Sequence, residues 1–110
     1  MSKKVKVQKY TRVLDDTIKL PKKQGNGTLK LLVSVDVKGR LGRYSLTYIN
    51  HRICSIDNGR VLGYDNSHGY HHRHYMGNEE IVNFISYENI AERFDKEWRA
   101  LHEKAKKHHR

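Results

Sequence analysis

The sequence predicts an α+β fold in which an antiparallel β-meander packs against one long C-terminal α-helix. Three observations predict it. Apolar and polar residues alternate at period two through residues 29–37 and again through residues 43–49, as half-buried strands require. Turn signals, Gly39-Arg40-Leu41-Gly42 and Asp57-Asn58-Gly59, punctuate the strand-like runs. After Phe84 the apolar spacing changes to three and four, the period of a helix.

Taken in order, residues 1–28 are lysine-rich and carry Pro21 and the turn residues Gly25-Asn26-Gly27. They read as a basic N-terminal arm with one short strand near residues 5–13. In the first clear strand Leu29, Leu31, Val33, Val35 and Val37 alternate with Lys30, Ser34, Asp36 and Lys38. In the second, Tyr44, Leu46 and Tyr48 share a face, and the two tyrosines should pack against the helix. Residues 53–56 and 61–64 flank Asp57-Asn58-Gly59, which supplies the positive φ angles of a tight hairpin; all three are read as turn residues. Ser86 is placed to cap the helix, with Glu88 in its first turn. Tyr87, Ile90, Ala91, Phe94, Trp98, Leu101 and Ala105 form its apolar stripe. Glu92–Lys96, Asp95–Arg99 and Glu103–Lys107 fall at i,i+4 on the wet side. The whole is one domain, 1–110, divided into the arm (1–28), the sheet (29–85) and the helix (86–107).

Composition narrows the class. With 36% apolar and 31% charged residues the chain is globular in character. No window approaches the ~18 apolar residues of a membrane span. Cys54 is the single cysteine; it forms no internal disulfide and reads as a buried small apolar residue. These features point to the cytoplasm. The net charge of +10 is uneven: residues 1–30 carry nine Lys/Arg against two Asp, residues 31–77 six against three, and residues 78–110 seven of each. A basic surface draws polyanions in a salt-dependent way.

Four of the eight histidines, His68, His71, His72 and His74, lie within seven residues beside Arg73. Imidazole takes and gives protons near neutral pH, and a guanidinium suits a phosphate. This combination points to phosphodiester chemistry without metal or cofactor. In an extended segment His72 and His74 face one side and serve as the base and acid of RNA cleavage. Arg73 clamps the phosphate, Asp65 orients an imidazole, and Tyr64 or Tyr75 adds a phosphate hydrogen bond. A metal reading competes, with His72, His74 and Asp65 or Asp57 as ligands. The missing cysteines, the missing second carboxylate and flanking Arg73 weigh against it, so no residue is assigned to a metal. Glu79 and Glu80 are candidates to supply a carboxylate to the site, but charges before a helix are usually solvated. A third reading leaves the histidines as polar groups without chemistry.

These residues also carry a resemblance. Residues 43–101 resemble the TumE-type toxins of bacterial and archaeal toxin–antitoxin modules. The shared pattern is Arg43-Tyr44-Ser45-Leu46, Gly63-Tyr64-Asp65-Asn66, His72-Arg73-His74 with Gly77, then Phe84 and Ser86. The chain departs from it at Tyr70-His71 and in its more basic N-terminus. The resemblance implies a cytoplasmic toxin acting on RNA, silenced by a helix-turn-helix antitoxin with which it forms a larger complex. The catalytic set is then His72, His74, Arg73 and Asp65, and the substrate-binding set Tyr64, Asn66, His71, Tyr75 and Arg43. The alternative class is a non-catalytic module that occupies nucleic acid or ribosome through many lysines, Lys3, Lys4, Lys6 and Lys9 among them.

Overall fold

The computed structural model describes residues 9–107. Six strands follow one another across a single antiparallel sheet in the order β1-β2-β3-β4-β5-β6, and helix α1 closes the chain. They are β1 (Thr11–Lys19), β2 (Thr28–Val35), β3 (Leu41–Ile49), β4 (Arg60–Asp65), β5 (His72–Tyr75), β6 (Asn78–Ile81) and α1 (Tyr87–Lys107). The predicted fold class therefore holds. No helix among the described residues is long and apolar enough to cross a membrane.

Cross-strand pairing puts Leu29, Tyr48 and Leu62 in one row, and Leu31, Leu46, Tyr64 and Arg73 in the next. The apolar members of these rows lie on the face that α1 covers. Tyr44, Leu46, Tyr48, Leu62 and Tyr64 are almost fully buried there with Ile90 and Phe94. Trp98 packs on Tyr48 with ring centroids 5.9 Å apart, so the aromatic residues of the stripe are core residues. Ser86 Oγ accepts the Asn89 N–H at 3.1 Å, the expected N-cap. Asp95 pairs with Arg99 at 2.9 Å, whereas Glu103 pairs with Lys106.

Three expectations are corrected. The described part of the N-terminal region is a strand: β1 pairs with β2 along its length, while residues 5–8 of the expected strand lie outside the described residues. A bulge between Arg12 and Leu14 breaks the alternation that would have revealed it. Residues 53–56 form no strand; β4 pairs instead with β3. Ile53 and Cys54 donate their N–H groups to Asn50 O at 3.0 Å, winding the segment into a compact loop. Asp57, Asn58 and Gly59 do have positive φ, but they close this loop. Cys54 is buried, as expected. Finally, the histidine run is one arm of a hairpin whose other arm, β6, had read as solvated charge. Met76 and Gly77 turn it with φ of 50° and 85°, as a two-residue connection between right-twisted strands demands.

Candidate functional site on the open face of the sheet

Strand alternation divides His72-Arg73-His74 between the two faces of β5. His72 and His74 point away from the helix. His72 pairs across the sheet with Asp65, and His74 with Gly63 on one side and Glu79 on the other. Asp65 and His72 are buried and His74 is half-buried.

Asp65 is the centre of the group. Its Oδ2 lies 2.8 Å from His74 Nε2, and its Oδ1 accepts the Ser67 N–H at 3.0 Å and stands 3.8 Å from His72 Nδ1. Burial raises the Asp65 carboxyl, but the Ser67 hydrogen bonds and the charge and hydrogen bond of His74 outweigh it, and the group is held below the usual aspartate value. Arg60 Nη2 lies 3.2 Å from His74 Nδ1. A guanidinium only donates, so in the neutral ring Nδ1 accepts and the proton sits on Nε2, directed at Asp65. The other nitrogen of His72, Nε2, lies 3.2 Å from Glu79 Oε1. Tyr70 tilts over the His72 ring at 5.5 Å.

Gly63 makes the Arg60 contact possible. A Cβ there would come within 2.9 Å of Arg60 Cδ, so the missing side chain lets Arg60 lie across β4 toward His74. Arg60 is anchored from behind by Asp57 at 2.7 Å.

Arg73 points the other way. Its guanidinium contacts Glu97 of α1, with Nε 3.1 Å from Oε2, and reaches Glu80 at 3.2 Å. Tyr64 donates its hydroxyl to the same Glu97 carboxylate. Burial, followed by the hydrogen bond to Glu97, pushes the Tyr64 phenol up to about 12. The Glu97 hydrogen bond holds Arg73 firmly in its charged form. Tyr75 lies under the Arg73 guanidinium, 5.0 Å from the ring centroid. Arg73 and Tyr64 thus join sheet to helix, and with Tyr75 they lie on the face opposite His72 and His74.

The remaining expected residues bracket the site. Asn66 Oδ1 accepts the Tyr44 N–H at 3.0 Å and its Nδ2 donates to Gly42 O at 2.8 Å, fixing the end of β4. His71 stacks on Phe84 at 3.9 Å and meets the Tyr44 hydroxyl at 2.9 Å; burial, then the nearby charge of His72, lowers its pKa. Arg43 is exposed and donates to Ser67 Oγ at 3.3 Å.

Sequence reasoning passed over Arg60 and Glu97 and set Glu79 aside as a solvated charge. Two had a readable signal. Glu97 interrupts the apolar spacing Ile90, Phe94, Leu101 on the helix, and Glu79 follows a Met-Gly turn that predicts a returning strand. Arg60 had none, since its approach depends on a bulge between β3 and β4. Compared with protein-family models, with curated proteins and with solved structures, the chain has no match.

Proposed function

We propose that this chain is the toxin of a toxin–antitoxin module and cleaves RNA by histidine acid–base chemistry on the open face of the sheet. The observation that carries the reading is the relay Asp65–His74–Arg60 with His72 beside it. An incoming phosphate competes for the Arg60 guanidinium, which then frees the His74 Nδ1 lone pair. His74 takes the ribose 2′-OH proton while Asp65 holds its Nε2–H, the base–orienter arrangement of activated nucleophiles. The 2′-oxygen attacks phosphorus, and His72, flanked by Asp65 and Glu79, protonates the departing 5′-oxygen. A 2′,3′-cyclic phosphate and a 5′-hydroxyl result.

Arg60 takes the clamp role first expected of Arg73, whose charge is already matched by Glu97 and Glu80. Lys19, Lys30 and Arg43 share the open face by register, a cationic track for the polyanion. The reading includes a cytoplasmic location and a helix-turn-helix antitoxin as partner. The test is total RNA incubated with the protein in excess EDTA, beside His72→Ala/His74→Ala. Cleavage by the parent alone is expected; equal cleavage by both would refute the assignment. A binding module would instead lose affinity when Lys3, Lys4, Lys6 and Lys9 are neutralised and ignore the histidines.

A further inference from the structure

We infer that Asp65, His72 and His74 bind a divalent transition-metal ion of the zinc class, and that the bound ion switches the histidine chemistry off. The second half rests on the ribonuclease reading; the first does not.

The ligand atoms of the three residues all lie within 4.8 Å of one another. His72 Nδ1 lies 3.8 Å from Asp65 Oδ1 and His74 Nε2 lies 2.8 Å from Asp65 Oδ2, either side of the roughly 3.3 Å separation that tetrahedral ligands at about 2.0–2.1 Å impose. Small side-chain rotations close it, because all three donors project from adjacent positions of one two-stranded ladder. Two imidazoles with one carboxylate favour zinc, cobalt, nickel or copper over magnesium or calcium.

A separate observation supports the site. With His72 Nδ1 directed at Asp65, His72 Nε2 faces Glu79 at 3.2 Å. A carboxylate on the far nitrogen of a ligating histidine fixes its tautomer and strengthens it as a donor. Local charge agrees: Glu79 pairs with His72, and Arg60, the cation beside Asp65 and His74, is itself paired with Asp57. Arg73, which seemed from sequence to repel a cation here, is bonded to Glu97 on the other face.

Binding has a built-in consequence. A metal on His74 Nε2 displaces the proton now directed at Asp65 and leaves the ring's proton on Nδ1. Arg60 cannot accept that proton, so the guanidinium must leave His74. The ion takes the Nε2 lone pair of His74 and the carboxylate that orients it, so base, orienter and clamp fail together.

The experiment uses the untagged full chain and Zn²⁺ alone. Two-bond ¹H–¹⁵N spectra of the histidine rings are followed through the titration, with RNA cleavage measured on the same samples. The expected result is saturation near one equivalent, with the His72 and His74 ring nitrogens moving and those of His51, His71 and His102 unmoved. Cleavage should fall more than tenfold and return with EDTA, and Asp65→Asn should weaken binding. Shifts confined to His108 and His109, or no saturable shift, would overturn the site. Saturation at His72 and His74 with cleavage unchanged would overturn the switch. Saturation in a protein that cuts no RNA in EDTA would uphold the site and defeat the ribonuclease reading.

Discussion

The two faces of strand β5 hold two networks of charged and polar residues, and they do opposite work. On the helix side Arg73, Tyr64, Glu97 and Glu80 close on one another, each donor matched to a carboxylate. On the open side Asp65, His74 and Arg60 form a chain whose last member is a cation in reach of solvent, with His72 between two carboxylates. The first network fixes the helix on the sheet. The second holds groups whose partners a ligand can replace. A single residue of register separates them, since side chains in a strand alternate faces.

The largest effect should come from disabling the open face. His74→Ala and Asp65→Asn are expected to slow RNA cleavage about 10²–10⁴-fold, the usual worth of a positioned acid or base. Their melting temperatures should stay close to the parent's. A collapse of stability in both would merge the two networks into one structural cluster.

The helix face should answer in the opposite way. Arg73→Met leaves Glu97 and the Tyr64 hydroxyl without their cation and should cost about 1–3 kcal/mol in denaturant unfolding. Cleavage per folded molecule should stay within about twofold. Arg73→Met/Glu97→Gln should cost less than the sum of its single changes, because the two side chains share one network. Lost cleavage at unchanged stability would return Arg73 to the catalytic set.

A finer probe is Gly63→Ala. The new Cβ meets Arg60 Cδ at 2.9 Å, so the Arg60 side chain must shift from its place against His74 while the backbone, which has no positive φ at this glycine, stays in place. Cleavage should drop about tenfold, equivalent to ~1.4 kcal/mol, with stability changed by less than about 1 kcal/mol. Gel quantification beside a urea melt separates the two.

The smallest effect concerns pH. His71 and His102 are both held below the ordinary imidazole value, chiefly by burial, and secondarily by the charges of His72 and Lys106. His102 is buried against the Tyr48 hydroxyl at 2.9 Å. As pH falls through about 6.5 the unfolded chain takes up protons that the folded chain refuses. Stability is therefore full above that pH and declines below it, and His102→Gln should flatten the decline in melts between pH 7.5 and 5.5. The lowered Asp65 group acts further down: its stabilisation is present above the ordinary aspartate range and is lost as pH falls below it.

The legible parts of the sequence were those in which one periodicity ran without interruption. Strands β2 and β3 and helix α1 were readable because apolar residues repeat at the period of the element, and burial on one face enforces the repeat. Strand β1 was hidden by its bulge and by its place at the sheet edge, where Val13 and Ile18 remain exposed. Strand β6 was hidden because Asn78, Glu79 and Glu80 pair with β5 through their backbones while their side chains stay largely in water.

The candidate site divides in the same way. The sequence by itself determined that His72 and His74 share a face, because they are two residues apart in a strand, and that an aspartate nearby can orient one of them. Only the tertiary structure decided which groups complete the site. Arg73 lay next to both histidines in sequence yet turns to Glu97, whereas Arg60, fourteen residues before His74, crosses Gly63 to reach it. Neighbours in a strand are separated by the sheet itself; neighbours across strands are joined by register, and register is set by bulges and turns that a local reading does not see.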